Sequence, residues 1–323
     1  MSIDALRQTA QNLANDPQTV GIMFFTLKEN NTFVPRRVEL SSDAQLALTA
    51  QLKLEILEFF KTNYALRDLT AIDLRQDAVF RYNLPSYPSQ LEVLKRTLDK
   101  PATINDFNHV NDSVTELKAI VAVLGNGNES LAIYKHHYPT NTYRRNGFNL
   151  LRAGIAQNRF EKLDQDIIRM GHTIDFIYDG VDVFVTNFKI LEKFFGFKEA
   201  VKADATIKLA TLTARNIVQD AAILKDRITV QEDLTFARKV IRAISHSRVL
   251  DTVTNGQIIQ FIKQHQSLSK KIKVNAADTH IILDTKVSQN FFMKLLNDDY
   301  LKSELTKFEY DADSKDLVEA TGL

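Results

Sequence analysis

Between Ser130 and Phe160 the chain carries no Asp or Glu, yet it sets Lys135, Arg144, Arg145, Arg152 and Arg159 among Tyr134, His136, His137, Tyr138, Tyr143 and Phe148. Cations neutralise phosphates and aromatic rings stack on exposed bases, so this mixture suits duplex DNA or single strands. The same residues would equally suit a sheet edge, with aromatics in the core and solvated charges that discourage aggregation. A second candidate is the stretch 208–273, with 12 Lys and Arg against 5 Asp and Glu, in a chain whose overall net charge is only +1. By the same count residues 1–134 give −3, residues 135–207 give +2 and the last 50 residues give −5. A polyanion meets the local field and not the mean, although folding that mixes these segments would cancel the patches.

Within the basic stretch, Arg238, Lys239, Arg242 and His246 share one face of an amphipathic helix predicted over 234–246, opposite Leu234, Ala237, Val240, Ile241 and Ile244. A second helix is predicted from Thr254, a capping-box position, to about Gln266. Gln257, Gln260, Lys263 and Gln264 share a face of it, and glutamine can pair with adenine in the major groove. A hairpin over 272–283 would follow, with Lys270, Lys271 and Lys273 at its base, suited to phosphate contact. Two helices and a hairpin match the order of a winged helix-turn-helix, though a glutamine-rich helical face is more often simply solvated and the three-helix core of that motif is not evident.

Catalytic constellations are scarce. Metal-dependent nucleases need clustered carboxylates beside a lysine, and the nearest set is Asp175, Asp179 and Asp182 followed by Lys189. Its spacing departs from the common Asp then Glu-x-Lys pattern, and Asp179 suits a turn, which leaves Asp182 as the one member to test. The chain has no His-Glu-x-x-His helix, no nucleophile elbow and no phosphate-cradling Gly-rich loop; Gly125-Asn126-Gly127 leads into a strand and not a helix. His136 and His137 would point to opposite faces of a strand. No metal and no cofactor are therefore expected. With no cysteine, disulfides and thiolate chemistry are excluded and a reducing cytosol is expected.

The elements that must hold these residues follow from the pattern. Strands are predicted over 19–27, 33–40, 117–124, 131–138, 173–178 and 181–185, and helices from Ser42 as cap to about 62, over 91–98, and from 188 to 224 with Gly196 as the break. A helix over 287–296 precedes an acidic tail. This is α+β, with a mixed, largely antiparallel sheet domain over 1–200 and a helix-rich α+β domain with a hairpin and the acidic tail over 201–323. Hydrophobic residues at 44% and charged residues at 25% fit an ordered globular chain, and no window reaches the roughly 18–20 apolar residues that cross a bilayer. The start carries charges and glutamines where a signal peptide has its apolar region. Phe194-Phe195 and Phe291-Phe292 exceed what one helix face buries, which points to a homodimer or partner surface as an alternative to core packing.

Three stretches carry a resemblance: LLNDDYLKSELTKFEYDADSK from Leu295 to Lys315, FIYDGVDVFVTNFKILEKFFGFKE from Phe176 to Glu199, and YKHHYPTNTY from Tyr134 to Tyr143. Together they resemble the KwaB-like family of the Kiwa antiphage defence system, over about Lys118 to Lys315; the first hundred residues match only in general character. In this light Asn297 to Tyr300 and Ser303 to Leu305 look like structural fingerprints. The resemblance implies a cytosolic defence protein that binds DNA without catalysis and is recruited to the inner membrane through KwaA, a small polytopic membrane protein. The residues expected to meet DNA are Lys135, Arg144, Arg145, Arg152, Arg238, Lys239, Arg242, Lys270, Lys271 and Lys273. An adaptor docking on a membrane sensor and a metal-dependent nuclease are the alternatives, and the acidic tail could dock on basic loops of the membrane partner.

Overall fold

The computed structural model describes residues 2–69, 78–85, 87–143, 150–153, 159–162, 166–245, 247–302 and 309–311; for 150–153, 159–161, 301–302 and 309–311 it describes backbone alone. These residues fall into two compact units, the first ending at Phe197 and the second beginning at Lys198.

The first unit opens on α1 (Ile3–Asn15), a helix absent from the elements expected of the sequence, which begin with a strand. Ser2 caps it, and Leu6, Ala10 and Leu13 are its buried stripe. The hairpin β1 (Val20–Glu29) and β2 (Thr32–Val38) turns at Asn30 and Asn31, both at positive φ, a conformation asparagine tolerates better than most residues. Next comes α2 (Ser42–Phe59), capped by Ser41 rather than Ser42. Strands β3 (Ala65–Asp68) and β4 (Ala78–Arg81) precede α3 (Ser89–Asp99). Then follow β5 (Leu117–Gly125), β6 (Ser130–His136), β7 (Thr142–Tyr143), β8 (Leu150–Ala153), β9 (Arg159–Lys162), β10 (Ile167–Ile168), β11 (Phe176–Tyr178) and β12 (Val183–Val185).

Eight of these strands form one sheet in the order β2-β1-β5-β6-β11-β12-β4-β3. All neighbours are antiparallel except β3 with β4. The mixed, largely antiparallel sheet expected from sequence is thus present. Strands β5 and β6 read as nearly continuous apolar runs because both their faces are covered. On one face Leu131 and Ile133 of β6 and Ala122 and Leu124 of β5 pack on α1 and α2. On the other, α3 packs against β1, β2, β5 and β6 with Leu91 and Leu94 fully buried, and Tyr134 meets Phe176 and Phe195 edge-on. The unit ends in α4 (Phe188–Phe194), and Gly196 at φ +60° makes the break that the sequence marks.

The second unit holds most of α5 (Phe197–Arg215), with α6 (Ala222–Thr229), α7 (Leu234–Ser245), α8 (Arg248–Thr252), α9 (Asn255–Gln264) and α10 (Lys286–Leu296). The short ribbon β13 (Lys273–Val274) with β14 (Ile281–Ile282) precedes α10, and β15 (Tyr300–Lys302) with β16 (Glu309–Asp311) follows it. The start of the acidic segment is therefore a paired ribbon rather than a loose tail. Phe236, Ala237, Val240 and Ile241 on α7 and Phe292 and Leu296 on α10 form the core, as the 3.6-residue spacing requires. Of the two Phe pairs, Phe195 and Phe292 are buried and their neighbours Phe194 and Phe291 are half-buried, so neither pair is an exposed apolar patch.

Candidate nucleic-acid interface

The strand alternation of β6 decides the fate of the first basic cluster. Lys135 lies on the same side as Leu131 and Ile133, so its side chain runs toward α2, where it is 2% exposed. Its Nζ lies 2.6 Å from Glu55 Oε2 and donates to the carbonyls of Gly171 (3.0 Å) and Thr173 (3.4 Å). The ammonium is thus held inside the unit. Lys135, expected to contact phosphate, is corrected to a buried structural cation. Tyr134 and His136 point the other way. Tyr134 is fully buried, and His136 stacks on Phe194 with centroids 4.1 Å apart. Burial first, then the neighbouring charges of His137, Lys118 and Lys193, lower the His136 imidazole to about 4.

His137 is 3% exposed and bonds Thr142 Oγ1 at 2.7 Å. Among the described residues of the cluster, Tyr138 and Tyr143, about half exposed, keep rings available to a base, and Phe148 lies outside the described residues. Arg144 and Arg145 lie outside the described residues, and Arg152 stands on β8 opposite Phe160 of β9 in backbone register. Two of the three carboxylates named for nuclease chemistry, Asp175 and Asp179, have structural work. Asp175, 4% exposed, accepts from the His136 amide (2.6 Å) and Asn187 Nδ2 (2.7 Å), and burial raises it above the usual carboxylate range. Asp179 accepts from the amides of Val181 (2.8 Å) and Asp182 (2.7 Å) in the β11–β12 turn, which spans four residues rather than two. Among the described residues no group of three or more metal-ligating side chains could hold an ion.

The second basic cluster is better placed. Lys239 is exposed on α7 and Arg238 and Arg242 are half-buried there. Where α7 packs on α10, Lys239 and Arg242 line a cavity of about 410 Å³ together with Asn290 and Lys294 of α10 and Asn297 and Asp299 just beyond it. Three cations and two amides converge here around one carboxylate. Asp299 is 5% exposed and accepts from Asn297 Nδ2 at 2.5 Å. Asn290, Lys294 and Asn297 were missed from sequence because α10 reads as an ordinary amphipathic helix; only its packing on α7 brings them to the α7 face. His246 lies outside the described residues.

Not all of the +7 reaches this surface. Arg215 donates from Nε to Asn255 Oδ1 (2.8 Å) and from its terminal nitrogens to the carbonyls of Leu250 and Val253. Arg227, 6% exposed, pairs with Asp233 (2.8 Å), donates to Gln289 Oε1 (2.9 Å) and lies 3.9 Å over the Phe236 ring. Lys270 and Lys271 are exposed, and Lys273 is exposed but paired with Asp284 at 2.8 Å. The winged helix-turn-helix expectation does not hold. Residues 246–254, including α8, separate α7 from α9, where that motif has a turn of about three or four residues. Gln257 caps its own helix and Lys263 pairs with Asp278 at 2.7 Å, so two of the four side chains expected to read bases are committed within the chain.

The chain belongs to the Kiwa KwaB-like family, whose description "Kiwa protein KwaB-like" matches residues 114–306. That membership supports a role in antiphage defence. Among individual proteins, it is 29% identical over 253 residues to "Kiwa protein KwaB" of Escherichia coli O55:H7 (strain RM12579 / EPEC), which covers 78% of this chain and 79% of that protein. No solved structure matches it. No helix among the described residues is long and apolar enough to cross a membrane.

Proposed function

We propose that this chain is an antiphage effector that binds DNA without catalysis, through the second unit, and acts with a KwaA-like membrane protein that recruits it to the inner membrane. The observation that supports DNA binding is the convergence of Lys239, Arg242 and Lys294 with Asn290 and Asn297 around one cavity of about 410 Å³. Convergent cations neutralise adjacent phosphates, while the amides of Asn290 and Asn297 add donors that a bare charged patch lacks. Exposed Lys270 and Lys271, and Arg144, Arg145 and Arg152 of the first unit, extend the reading.

The test is binding to duplex and single-stranded DNA across a salt series, comparing wild type with Lys239→Glu/Lys294→Glu and Arg144→Glu/Arg145→Glu. For every phosphate that is no longer neutralised, the slope of log K against log salt becomes shallower by about 0.9 on duplex and about 0.7 on single strands. The Lys239/Lys294 pair is expected to flatten the slope by the equivalent of roughly one to two phosphates and weaken binding at least tenfold. Wild-type binding that is absent at low salt, or unchanged in Lys239→Glu/Lys294→Glu, would sink the proposal.

An adaptor role has one observation of its own. On α2 the outward residues Leu46 and Leu54 are 70% and 66% exposed, so this helix is apolar on both sides. Such a face suits a protein partner. Leu46→Lys/Leu54→Lys should then abolish defence while leaving DNA affinity intact.

A further inference from the structure

A second cavity, of about 640 Å³, lies in the first unit between the C-terminal turn of α2 and the segment before β11. Its volume falls within the roughly 300–1,000 Å³ of small-molecule sites. Its chemistry is opposite to that of the basic cavity. Leu54, Phe59, Tyr64 and Ile174 supply an apolar and aromatic wall, with Phe59 and Tyr64 stacked at a centroid distance of 4.6 Å.

The polar groups on the wall are mostly engaged on their donor side. Thr186 Oγ1 donates its proton to the Ile174 carbonyl at 2.5 Å, and Asn187 Nδ2 donates to Asp175 at 2.7 Å. Thr186 Oγ1 and Asn187 Oδ1 keep lone pairs that can accept, and Asn187 keeps one amide proton. His172 Nδ1 lies 3.0 Å from Glu55 Oε1, an oxygen that also accepts from Gln51 Nε2 at 2.8 Å; Gln51 Nε2 is itself 3.1 Å from the ring nitrogen. His172 thus joins Gln51 and Glu55 in one hydrogen-bonded group at the wall. Glu58, 70% exposed and paired with Lys61, adds a carboxylate at the rim. Behind the wall, buried Lys135 holds Glu55 in place, so the arrangement is fixed before any ligand arrives.

We infer that this cavity binds an ammonium or guanidinium group carried on an apolar stem. Thr186, Asn187 and Glu58 present acceptors to its N–H groups, and the aromatic wall takes the stem and attracts the cation. The group could come from a free amine or from an Arg or Lys side chain of a basic protein segment. Anions are disfavoured, since the Glu58 carboxylate stands at the rim.

Calorimetric titration and thermal shift of the full chain, freed of nucleic acid, would use agmatine, the peptide acetyl-Gly-Arg-Gly-amide and pentanoate. Saturable agmatine or peptide binding with a raised Tm is expected, weakened about 3- to 10-fold by Glu58→Gln and blocked by Leu54→Arg, which brings the chain's own guanidinium to the mouth. Both variants change exposed residues, and Leu54→Arg should retain the wild-type Tm without ligand. Agmatine binding as tightly as the peptide would assign the site to a free amine; a peptide at least tenfold tighter would assign it to a protein segment. Pentanoate binding as well as agmatine, no saturable binding of either cation, or cation binding unchanged in both variants would overturn the inference.

Discussion

Lys135 sits at the start of the aromatic, cation-rich stretch, and its replacement separates a DNA contact from a structural cation. In Lys135→Met the Glu55 carboxylate, 9% exposed, loses the ammonium that lies 2.6 Å away, and the Gly171 and Thr173 carbonyls lose a donor. Breaking a buried pair from one side costs about 3–5 kcal/mol, because the remaining charge stays in a poorly polarisable interior. At about 2–4 °C per kcal/mol for a unit of this size, Tm should fall by roughly 6–20 °C. Lys135→Met/Glu55→Leu removes the stranded charge but not the orphaned carbonyls, so it should recover at least about 2 kcal/mol without reaching wild type. Urea denaturation followed by circular dichroism measures all three, with DNA affinity measured on the folded fraction. A Lys135→Met protein of wild-type stability whose DNA affinity has dropped tenfold would refute this placement of the side chain and restore it to the phosphate-binding set.

Other outcomes follow from single interactions. Because His136 is held neutral with its value lowered to about 4, the unfolded chain binds a proton that the folded one does not between about pH 6.5 and 4. Stability should therefore fall as pH drops through that window, by at most about 3 kcal/mol since solvent screens the half-buried ring, and His136→Phe, which keeps the stack on Phe194, should flatten the profile. Arg227→Met should destabilise the second unit by about 3 kcal/mol through the stranded Asp233 and the missing Gln289 bond, with the midpoint of urea unfolding as the readout. Gly196→Ala should cost about 1 kcal/mol in the same assay, since φ +60° is open to glycine with little strain and unfavourable for other L-residues.

Much of the architecture was written in local patterns. The β1–β2 hairpin, the adjoining β5–β6 pair, the Gly196 break, the α7 stripe and the Thr254 capping box all depend on residues within a few positions of each other, and each appears where its spacing puts it. The α+β class follows from those elements. Element ends were less legible: Ser41 and Ser42 are both competent caps, and only the position of the chain before α2 selects Ser41.

What the sequence could not settle was the direction of the charges. Alternation along β6 tells that Lys135 and His136 point to opposite faces, but not that both faces are covered, since coverage comes from α2 and α4, far away in the chain. The +7 count of residues 208–273 treats Arg215 and Arg227 like Lys239, yet packing against the α9 start and α10 turns the first two inward. The same packing adds Asn290, Lys294 and Asn297 to the α7 cations, from a segment whose sequence signal was structural and carried no sign of phosphate contact. Sequence determined which residues could carry charge and which elements would carry the residues. Tertiary structure decided which charges meet water, because burial is set by contacts between segments whose separation along the chain no local pattern encodes.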